Sequence, residues 1–332
     1  MSQPLRIGIL GTANIAGRAL IAPSREVPEV TLDAVASRTA VRGKSFAEAN
    51  GISRALGYEE LIADPSIDIV YITLPPSLHA QWSIAALRAG KHVLCEKPMA
   101  ANAAEAREVA RIVRESDRVY MEAFHYPYHP FAKRVRDMLE TRAIGAVRSV
   151  EANFQIPGKF ITSENIRRHF ELAGGALMDA GCYALRAIRG ILGEVEGVRE
   201  ATAETEAANS QVDLAMRATL EFSAGRTGHL HASFLAVDNA VVNVTITGEA
   251  GSLQVFSLYV PQWGGALRMQ WPGHVYSEQA DPTPSYLFQL RELVRCVRDG
   301  APVLTSADDG ALNMSAIDEI YRKAGLQVRG TR

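Results

Sequence analysis

The sequence predicts an α/β protein with two domains: an N-terminal doubly wound parallel sheet and a C-terminal α+β domain with a large, mostly antiparallel open sheet. Three observations lead to this prediction. The chain has 332 residues, which is more than one hydrophobic core usually supports. Its first half alternates short apolar runs with helical segments, and its second half changes to an apolar period of two.

The apolar runs of the first half are the predicted strands. They cover Leu5–Leu10, Val30–Ala36, Ile67–Leu74, Lys91–Cys95 and Val119–Phe124, and helices are predicted from near Asn14 and over Ser45–Asn50, Leu78–Ala89 and Ala103–Glu115. Runs without polar alternation are typical of strands that are buried on both faces, as in a parallel sheet covered by helices. We assign residues 1–124 to the first domain and residues 125–332 to the second.

The second half predicts strands with one buried face. Apolar side chains alternate with polar ones such as Asp213 over Val212–Phe222, and the pattern recurs over Leu230–Phe234 and Val242–Ile246. Tight turns between these runs favour an antiparallel meander. Its polar face is exposed to water or buried in a homodimer or homotetramer. Helices over Tyr286–Asp299 and near Asp309–Lys323 are expected to pack back on the body.

Composition argues against several classes of partner. Lys and Arg number 35 against 37 Asp and Glu, which does not favour nucleic acid. No apolar stretch approaches the roughly 20 residues that span a membrane, and the N-terminal residues do not resemble a signal peptide. The three scattered cysteines predict buried side chains in a cytoplasmic protein. No metal is expected, because the histidines show no ligand spacing with carboxylates or cysteines apart from His229 and His231, and the polar sheet face accounts for those two.

A phosphate-binding loop follows the first predicted strand. Gly11, Ala13 and Ala16 occupy the three small-residue positions of a dinucleotide fingerprint, which serve a tight turn, close backbone approach and helix packing. The helix that follows presents free N–H groups to phosphate. The sequence therefore predicts that the first domain is a Rossmann domain that binds a dinucleotide through Gly11, Thr12, Ala13, Asn14 and Ile15.

The end of the second strand indicates which dinucleotide is preferred. An acidic residue that binds the ribose 2′-hydroxyl is expected there for NAD, but the strand continues into Ser37 and Arg38. Asp33 lies mid-strand and should not reach the ribose. Because a guanidinium binds a 2′-phosphate well, Ser37 and Arg38 favour NADP, with NAD still possible. The alternative for Arg38 is a solvated loop cation.

A second turn that is a candidate for the active site is Glu96-Lys97-Pro98, which directly follows a predicted strand. Ligands of open α/β sheets bind at the carboxyl ends of the strands, so Lys97 is expected near the nicotinamide and a substrate hydroxyl. The alternative is that Glu96 and Lys97 form an exposed ion pair of little energetic value.

These motifs, together with the segment from Gly174-Gly175 to Asp179, Gly181 and Tyr183, resemble the glucose–fructose oxidoreductase, inositol dehydrogenase and rhizopine catabolism family. The similarity extends over nearly the whole chain. Tyr183, where other branches often have His, resembles the branch that contains xylose dehydrogenase and dimeric dihydrodiol dehydrogenase.

The resemblance implies roles for several residues. Lys97 would lie in the active site, Tyr183 would be the acid/base, and Asp179 would contact substrate or orient Lys97. A phenol with a pKa near ~10 is a poor base at neutral pH, and a neighbouring ammonium favours its ionised form. The alternative for Tyr183 is a core aromatic side chain.

The remaining candidates line the expected pocket. Arg167 would bind substrate hydroxyls or a cofactor phosphate, or else form a surface salt bridge. His79 would help to build the cofactor pocket, or else be a satisfied histidine at a helix start. The predicted cofactor-binding set also includes Leu74, Pro75 and Glu96, and the predicted substrate-binding set includes His125 and Tyr126. Pro76 and Pro127 depart from the family pattern close to this pocket.

The sequence therefore predicts an NADP-preferring oxidoreductase that transfers a hydride between the nicotinamide and a sugar, polyol or cyclic diol. One alternative is a sugar–sugar oxidoreductase that retains its cofactor. Another is a non-catalytic regulator that senses a dinucleotide, although a sensor has no need of both Lys97 and Tyr183.

Overall fold

The computed structural model describes residues 3–206 and 209–330. The chain divides into two compact units. The first comprises the residues up to His125 together with Tyr286–Ala311, and the second comprises Tyr126–Ser285 together with the residues after Ala311. Within the described ranges, no helix has the length and apolar character needed to cross a membrane.

The first unit is built on a six-stranded sheet whose strands all run parallel. The strands are β1 (Leu5–Leu10), β2 (Val30–Ala36), β3 (Arg54–Leu56), β4 (Ile69–Ile72), β5 (His92–Cys95) and β6 (Tyr120–Glu122). Their order is β3-β2-β1-β4-β5-β6. The order reverses between β1 and β4, and the carboxyl ends of the strands at such a point form the usual ligand crevice.

The strands of the first unit alternate with helices. Helix α1 combines a π-helical turn, Gly17–Ile21, with Ala22–Ser24, and it is followed by α2 (Ala40–Asn50), α3 (Tyr58–Ala63), α4 (Pro76–Arg88) and α5 (Ala103–Arg114). The sequence predicted β1 and β2 with these bounds and β4 to β6 with longer ones. It missed β3 and α3, because so short a strand carries no periodic pattern.

The second unit contains a large open sheet. Its helices are α6 (Pro130–Glu140) and α7, which joins a π-helical turn (Leu177–Gly181) to Cys182–Leu192. Its strands are β7 (Val147–Pro157), β8 (Gly197–Glu206), β9 (Asn209–Phe222), β10 (Arg226–Ala236), β11 (Val241–Gly248), β12 (Ser252–Phe256), β13 (Ala266–Trp271) and β14 (His274–Gln279). The order is β14-β13-β12-β11-β7-β10-β9-β8, and only β7 and β10 pair in parallel.

The predicted meander was wrong at one point. Strands β10 and β11 follow one another in the chain, but β7 lies between them and pairs with both. A period of two indicates which face of a strand is buried and does not indicate its neighbours. The insertion of β7 was therefore not visible in the local pattern.

Helix α7 packs closely on the buried face of this sheet. A Cβ atom at Gly228 of β10 would lie 2.5 Å from Cγ2 of Ile188, and one at Gly181 of α7 would lie 3.1 Å from the Cβ of Ala232. Contacts this short leave no space for a side chain at either glycine. Gly181 thus allows the close packing of α7 on β10.

The last two helices are α8 (Ser285–Asp299) and α9 (Ala307–Lys323), close to the predicted bounds. Within the first unit, the Thr305 hydroxyl donates a hydrogen bond of 2.6 Å to the carbonyl oxygen of Glu122 at the end of β6. Within the second unit, the Asn313 side chain donates one of 3.2 Å to the Cys182 carbonyl in α7. Each end of this C-terminal segment is therefore attached to its own unit by buried polar contacts.

Candidate active site

The loop between β1 and α1 has the geometry that its glycine predicts. Gly11 has a φ of +108°, and a Cβ there would lie 2.7 Å from the Thr73 Oγ1 atom and 3.2 Å from the Thr73 carbonyl oxygen. Only glycine tolerates both the conformation and the contact. Ala16 is fully buried, as expected for a helix-packing position. The backbone after Gly11 leads directly into α1, so the residues present fit a bound pyrophosphate.

Two guanidinium groups lie at the carboxyl end of β2. Arg38 is exposed beside the buried Ser37, and Arg42 donates a hydrogen bond of 3.4 Å from Nη2 to the carbonyl oxygen of Thr12. Burial raises the pKa of Tyr58, while Arg38 and Arg42 oppose that shift, so both cations lie near this phenol. The sequence prediction missed Arg42, which brings a second positive charge to the phosphate loop.

Asp33, which the sequence did not expect to reach the ribose, forms ion pairs with two arginines of the first unit. Arg6 pairs with one of its carboxylate oxygens at 2.8 Å, and Arg54 pairs with the other. Burial raises the pKa of Asp33, but the two arginines outweigh that effect and hold the pKa below its ordinary value. Its carboxylate is therefore occupied by structural ion pairs within the first unit.

The Glu96-Lys97-Pro98 turn follows β5 and contains a cis peptide bond between Lys97 and Pro98. Glu96 and Lys97 are both half-buried. The Tyr71 hydroxyl donates a hydrogen bond of 2.6 Å to Oε1 of Glu96. Burial raises the pKa of Glu96 against the opposing effects of Tyr71 and Lys97. The alternative of an exposed ion pair was therefore wrong, because both side chains are half-buried and Glu96 accepts a hydrogen bond from Tyr71.

His79 connects this turn to the end of β4. Its ring is 1 % exposed, and its nitrogens lie 2.7 Å from the carbonyl oxygens of Leu74 and Pro98. Burial lowers the pKa of His79 to about 4 against the opposing effect of the two carbonyl groups, so the ring is neutral at pH 7 and donates a hydrogen bond to only one of them. Pro75 precedes helix α4, on which His79 lies. His79 thus connects two loops that carry predicted cofactor-binding residues through contacts with their backbone carbonyl groups.

His125 is the last of the predicted site residues in the first unit. Its ring is buried and lies against Tyr286, with 3.9 Å between the ring centroids and 36° between the ring planes. Burial raises the pKa of Tyr286, with a further increase from Glu96 and a decrease from Arg18. Neither Tyr286 nor Arg18 was singled out by the sequence, because each lies in a helical segment, α8 and the π-helical turn of α1, without a motif around it.

In the second unit, Tyr183 lies within an aromatic cluster. Its ring is 7 % exposed, and the ring centroids of Tyr126, Phe154 and Tyr259 are 6.1, 5.6 and 5.5 Å from its own. Tyr259 also packs against Tyr126 and Phe154. Such clusters restrict the ring orientation of each member. The sequence predicted Tyr126 and Tyr183 as neighbours of the substrate, but it did not indicate Phe154 or Tyr259.

Asp179 and Arg167 form an ion pair in the same unit. The distance from Arg167 Nε to Asp179 Oδ2 is 2.6 Å, and the side chains are 36 % and 14 % exposed, respectively. Asp179 lies in the π-helical turn of α7, so the step of four residues from Asp179 to Tyr183 is not a regular α-helical turn. The structure places Arg167 beside Asp179 at the start of α7, which sequence spacing alone did not predict.

The predicted residues thus form two groups, one in each unit. The first contains the phosphate loop, Ser37, Arg38, the Leu74-Pro75 turn, His79, Glu96, Lys97 and His125; the second contains Tyr126, Arg167, Asp179 and Tyr183. Across the part of the chain that the structure describes, no group of three or more His, Cys, Asp or Glu side chains has the arrangement of a metal site.

The parallel sheet, its strand order and the glycine loop at its switch point are those of a dinucleotide-binding domain. The chain belongs to the GFO/IDH/MocA oxidoreductase family. Residues 5–124 match the family's NAD-binding Rossmann domain, and residues 132–254 match its C-terminal domain.

Known proteins resemble the chain over almost its full length. It is 36 % identical to a D-xylose 1-dehydrogenase (NADP(+)) of Haloferax volcanii, over 96 % of this chain and 97 % of that protein. The structure of a 3-ketoreductase from Actinomadura kijaniata in complex with NADP and TDP-benzene has a TM-score of 0.88 at 30 % identity, covering 97 % of this chain and 98 % of that one. An aldose-aldose oxidoreductase from Caulobacter crescentus, complexed with glycerol, has a TM-score of 0.87 at 28 % identity with the same coverage.

The buried His79 makes a testable contribution to stability. Its pKa is about 4 in the folded protein and near ~6.5 in an unfolded chain. Between these values the unfolded state binds more protons, so the stabilisation is complete above pH ~6.5 and is lost as the pH falls toward ~4. We expect a loss of about 3 kcal/mol from this residue. Urea unfolding of the wild type and His79→Gln across this range measures it, and a parallel pH dependence of the two proteins would contradict the assignment.

Proposed function

We propose that the protein is an NADP-preferring oxidoreductase that transfers a hydride between the nicotinamide and a hydroxyl or carbonyl group of a sugar, polyol or cyclic diol. The observation that carries this proposal is the full-length similarity to an NADP-dependent xylose dehydrogenase. It is supported by the placement of Lys97 at the carboxyl end of β5 and of Tyr183 in helix α7.

We assign the two tasks of the enzyme to two parts of the chain. Residues 1–124 bind the dinucleotide, and residues 125–332 bind substrate and carry the subunit contacts. The glycine loop, Ser37, Arg38 and Arg42 would hold the cofactor phosphates. NADP bound there supplies or accepts the hydride.

The proton chemistry belongs to side chains of this chain. Tyr183 takes the proton from the substrate hydroxyl when a hydride leaves the same carbon, and it returns the proton in the reverse direction. The ammonium group of Lys97 would favour the ionised phenol during this transfer. Arg167 and Asp179, which already pair at 2.6 Å, would bind further substrate hydroxyls.

The enzyme proposal is tested by removing each group of the acid/base pair. We expect Tyr183→Phe and Lys97→Ala each to lower kcat by about 100-fold or more, the usual range for general acid–base groups. Absorbance at 340 nm over a panel of aldoses, polyols and diols gives the rates. Tyr276→Phe and Lys133→Ala, which alter an exposed phenol and an exposed ammonium, serve as controls. Wild-type rates in Tyr183→Phe would rule out its acid/base role.

The cofactor preference is tested at the end of β2. Loss of a hydrogen bond between charged groups costs about 1.5–3 kcal/mol, so we expect Arg38→Ala to weaken NADPH binding by about 10- to 100-fold and NADH binding little. Arg42→Ala should have the same selective effect, while Arg268→Ala, on strand β13 of the second unit, should have none. Fluorescence titration measures all three. Equal weakening of NADPH and NADH binding would contradict recognition of the 2′-phosphate.

A second candidate is favoured by the likeness to an aldose-aldose oxidoreductase. In such a reaction one sugar is oxidised and another is reduced, and the nucleotide stays bound between the half-reactions. Nucleotide that copurifies with the protein and persists through dialysis would favour this candidate over a freely exchanging dehydrogenase. Cofactor binding without turnover on any substrate would instead favour a dinucleotide-sensing regulator.

We further propose a homodimer or homotetramer formed through the large sheet, in the cytoplasm, with no nucleic acid or membrane as partner. Cys95, Cys182 and Cys296 are buried thiols, as expected in a reducing compartment. The polar face of the sheet carries paired side chains, including Arg217 Nη1 and Gln155 Nε2, each 3.1 Å from the Nδ1 atom of His231. Such an ordered polar face is suited to an isologous contact.

Reversing a charge on this face tests the oligomer. Arg217→Glu would replace the cation beside His231 with a carboxylate on the proposed contact face of each subunit, so we expect dissociation toward monomers in light scattering. Lys133→Glu, on helix α6 outside the sheet, should leave the mass unchanged. A wild-type protein that is monomeric at micromolar concentration would exclude this interface.

A further inference from the structure

A buried ion pair lies beneath the first turn of helix α7. Asp213 and Arg329 are both fully buried, and Arg329 Nη2 donates a hydrogen bond of 2.8 Å to Asp213 Oδ1. The Tyr321 hydroxyl donates to the same oxygen at 2.9 Å. The guanidinium also lies 4.0 Å from the centroid of the Tyr321 ring. The three residues come from β9, α9 and the segment after α9, and we call them the α7 clamp.

The α7 clamp holds the backbone at the start of α7 directly. Asp213 Oδ2 accepts a hydrogen bond of 2.7 Å from the Leu177 amide, and Arg329 Nε donates one of 2.7 Å to the Gly174 carbonyl. The first N–H groups of a helix need acceptors from outside the helix. Because Gly175 and Ala176 have no polar side chain, β9 supplies that acceptor through Asp213, in the role of an N-cap residue.

The α7 clamp also explains the glycine pair that the sequence motif contains. Gly175 has a φ of +134°, and a Cβ there would lie 2.1 Å from Asp213 Oδ1 and 3.0 Å from Arg329 Nη2. A Cβ at Gly174 would lie 2.6 Å from the carbonyl oxygen of Arg167. The glycines therefore leave space for the buried carboxylate and bring the backbone of Arg167 close to the start of α7.

Stability alone does not account for these charges. Burying an ion pair costs desolvation energy, and apolar residues of similar volume often stabilise a protein as well or better. Burial raises the pKa of Asp213, against the effects of Arg329, the Leu177 amide and Tyr321. All three groups point hydrogen-bond donors at one carboxylate, which specifies its position in a way that apolar packing does not.

We propose that Asp213, Tyr321 and Arg329 are positioning residues for the reaction: they set the first turn of α7 and thereby the placement of Asp179 and Tyr183. The inference rests on the proposed acid/base role of Tyr183. Asp179 lies two residues after Leu177, and its amide donates a hydrogen bond of 3.1 Å to the Gly175 carbonyl. A displacement of the first turn is therefore passed to Asp179 through the backbone, and then along the helix to Tyr183.

The test uses the full chain with Asp213→Asn, Tyr321→Phe and Arg329→Lys. Misplacement by about 1 Å can cost on the order of 100-fold in rate, so we expect kcat to fall about 10- to 100-fold in Asp213→Asn and less in Tyr321→Phe. NADPH affinity, measured by fluorescence, should remain within about twofold, because the phosphate loop lies in the other unit. The acidic limb of the kcat–pH profile for substrate oxidation should shift, since Tyr183 must be ionised there to take the proton.

Arg189→Lys is the matched control. Arg189 is also buried in the second unit and belongs to α7, but it pairs with Glu194 at 3.0 Å beyond the far end of that helix. This variant should lower stability and leave kcat and its pH profile unchanged. If the clamp variants behave in the same way, with wild-type kcat per folded molecule, the positioning role is overturned.

A second readout separates this inference from the enzyme proposal. Hydrogen exchange of the Leu177 amide should be faster in Asp213→Asn than in the wild type under conditions where both are folded. If the wild type binds NADPH without turnover on any substrate, the enzyme proposal fails, and this exchange measurement still decides whether Asp213 holds the first turn. Unchanged protection of Leu177 would overturn the inference in either case.

Discussion

Close approach of backbone at two glycines is the constraint on which the candidate residues of each unit depend. Gly11 turns away from β1 with its Cα against Thr73, and Gly175 begins α7 with its Cα against Asp213. Both have positive φ angles, so an L side chain would be strained as well as too large. Each glycine precedes a helix that begins with a π-helical turn, a feature that is frequent at functional sites.

Buried polar groups then hold these turns in place. In the first unit His79 joins Leu74 to Pro98, and Tyr71 binds Glu96 beside Lys97. In the second unit Asp213 binds the amide of Leu177. Each group carries a desolvation cost, which is offset only because its partners are well aligned. Buried polar groups therefore lie next to the segments that carry the candidate residues Lys97 and Tyr183.

The candidate residues Lys97 and Tyr183, one in each unit, differ in what surrounds them. Lys97 follows a strand and has polar neighbours, among them a carboxyl group whose pKa burial raises. Tyr183 lies on a helix among aromatic rings that limit its motion. In the proposed acid/base pair, the cation would have to stay charged and the phenol would have to keep its orientation, and these surroundings would suit both needs.

Local patterns in the sequence were sufficient for part of this description. The bounds of β1 and β2, the glycine loop, the NADP-type end of β2 and the Lys97 turn all follow from runs of neighbouring residues, and the motifs identified the family. Such features can be predicted from the sequence because periodicity and turn chemistry act over a few residues.

Only the tertiary structure revealed the insertion of β7 between β10 and β11, the approach of Arg42 to Thr12 and the pairing of Asp213 with Arg329. In the sequence Asp213 was one polar residue in an alternating strand, and Arg329 was a charged residue far beyond it. The structure buries them together, since 116 residues separate partners whose contact no local pattern records. The sequence by itself thus determined the elements and the motif residues, whereas long-range contacts, formed only when the whole chain packs, decided which side chains hold them in place.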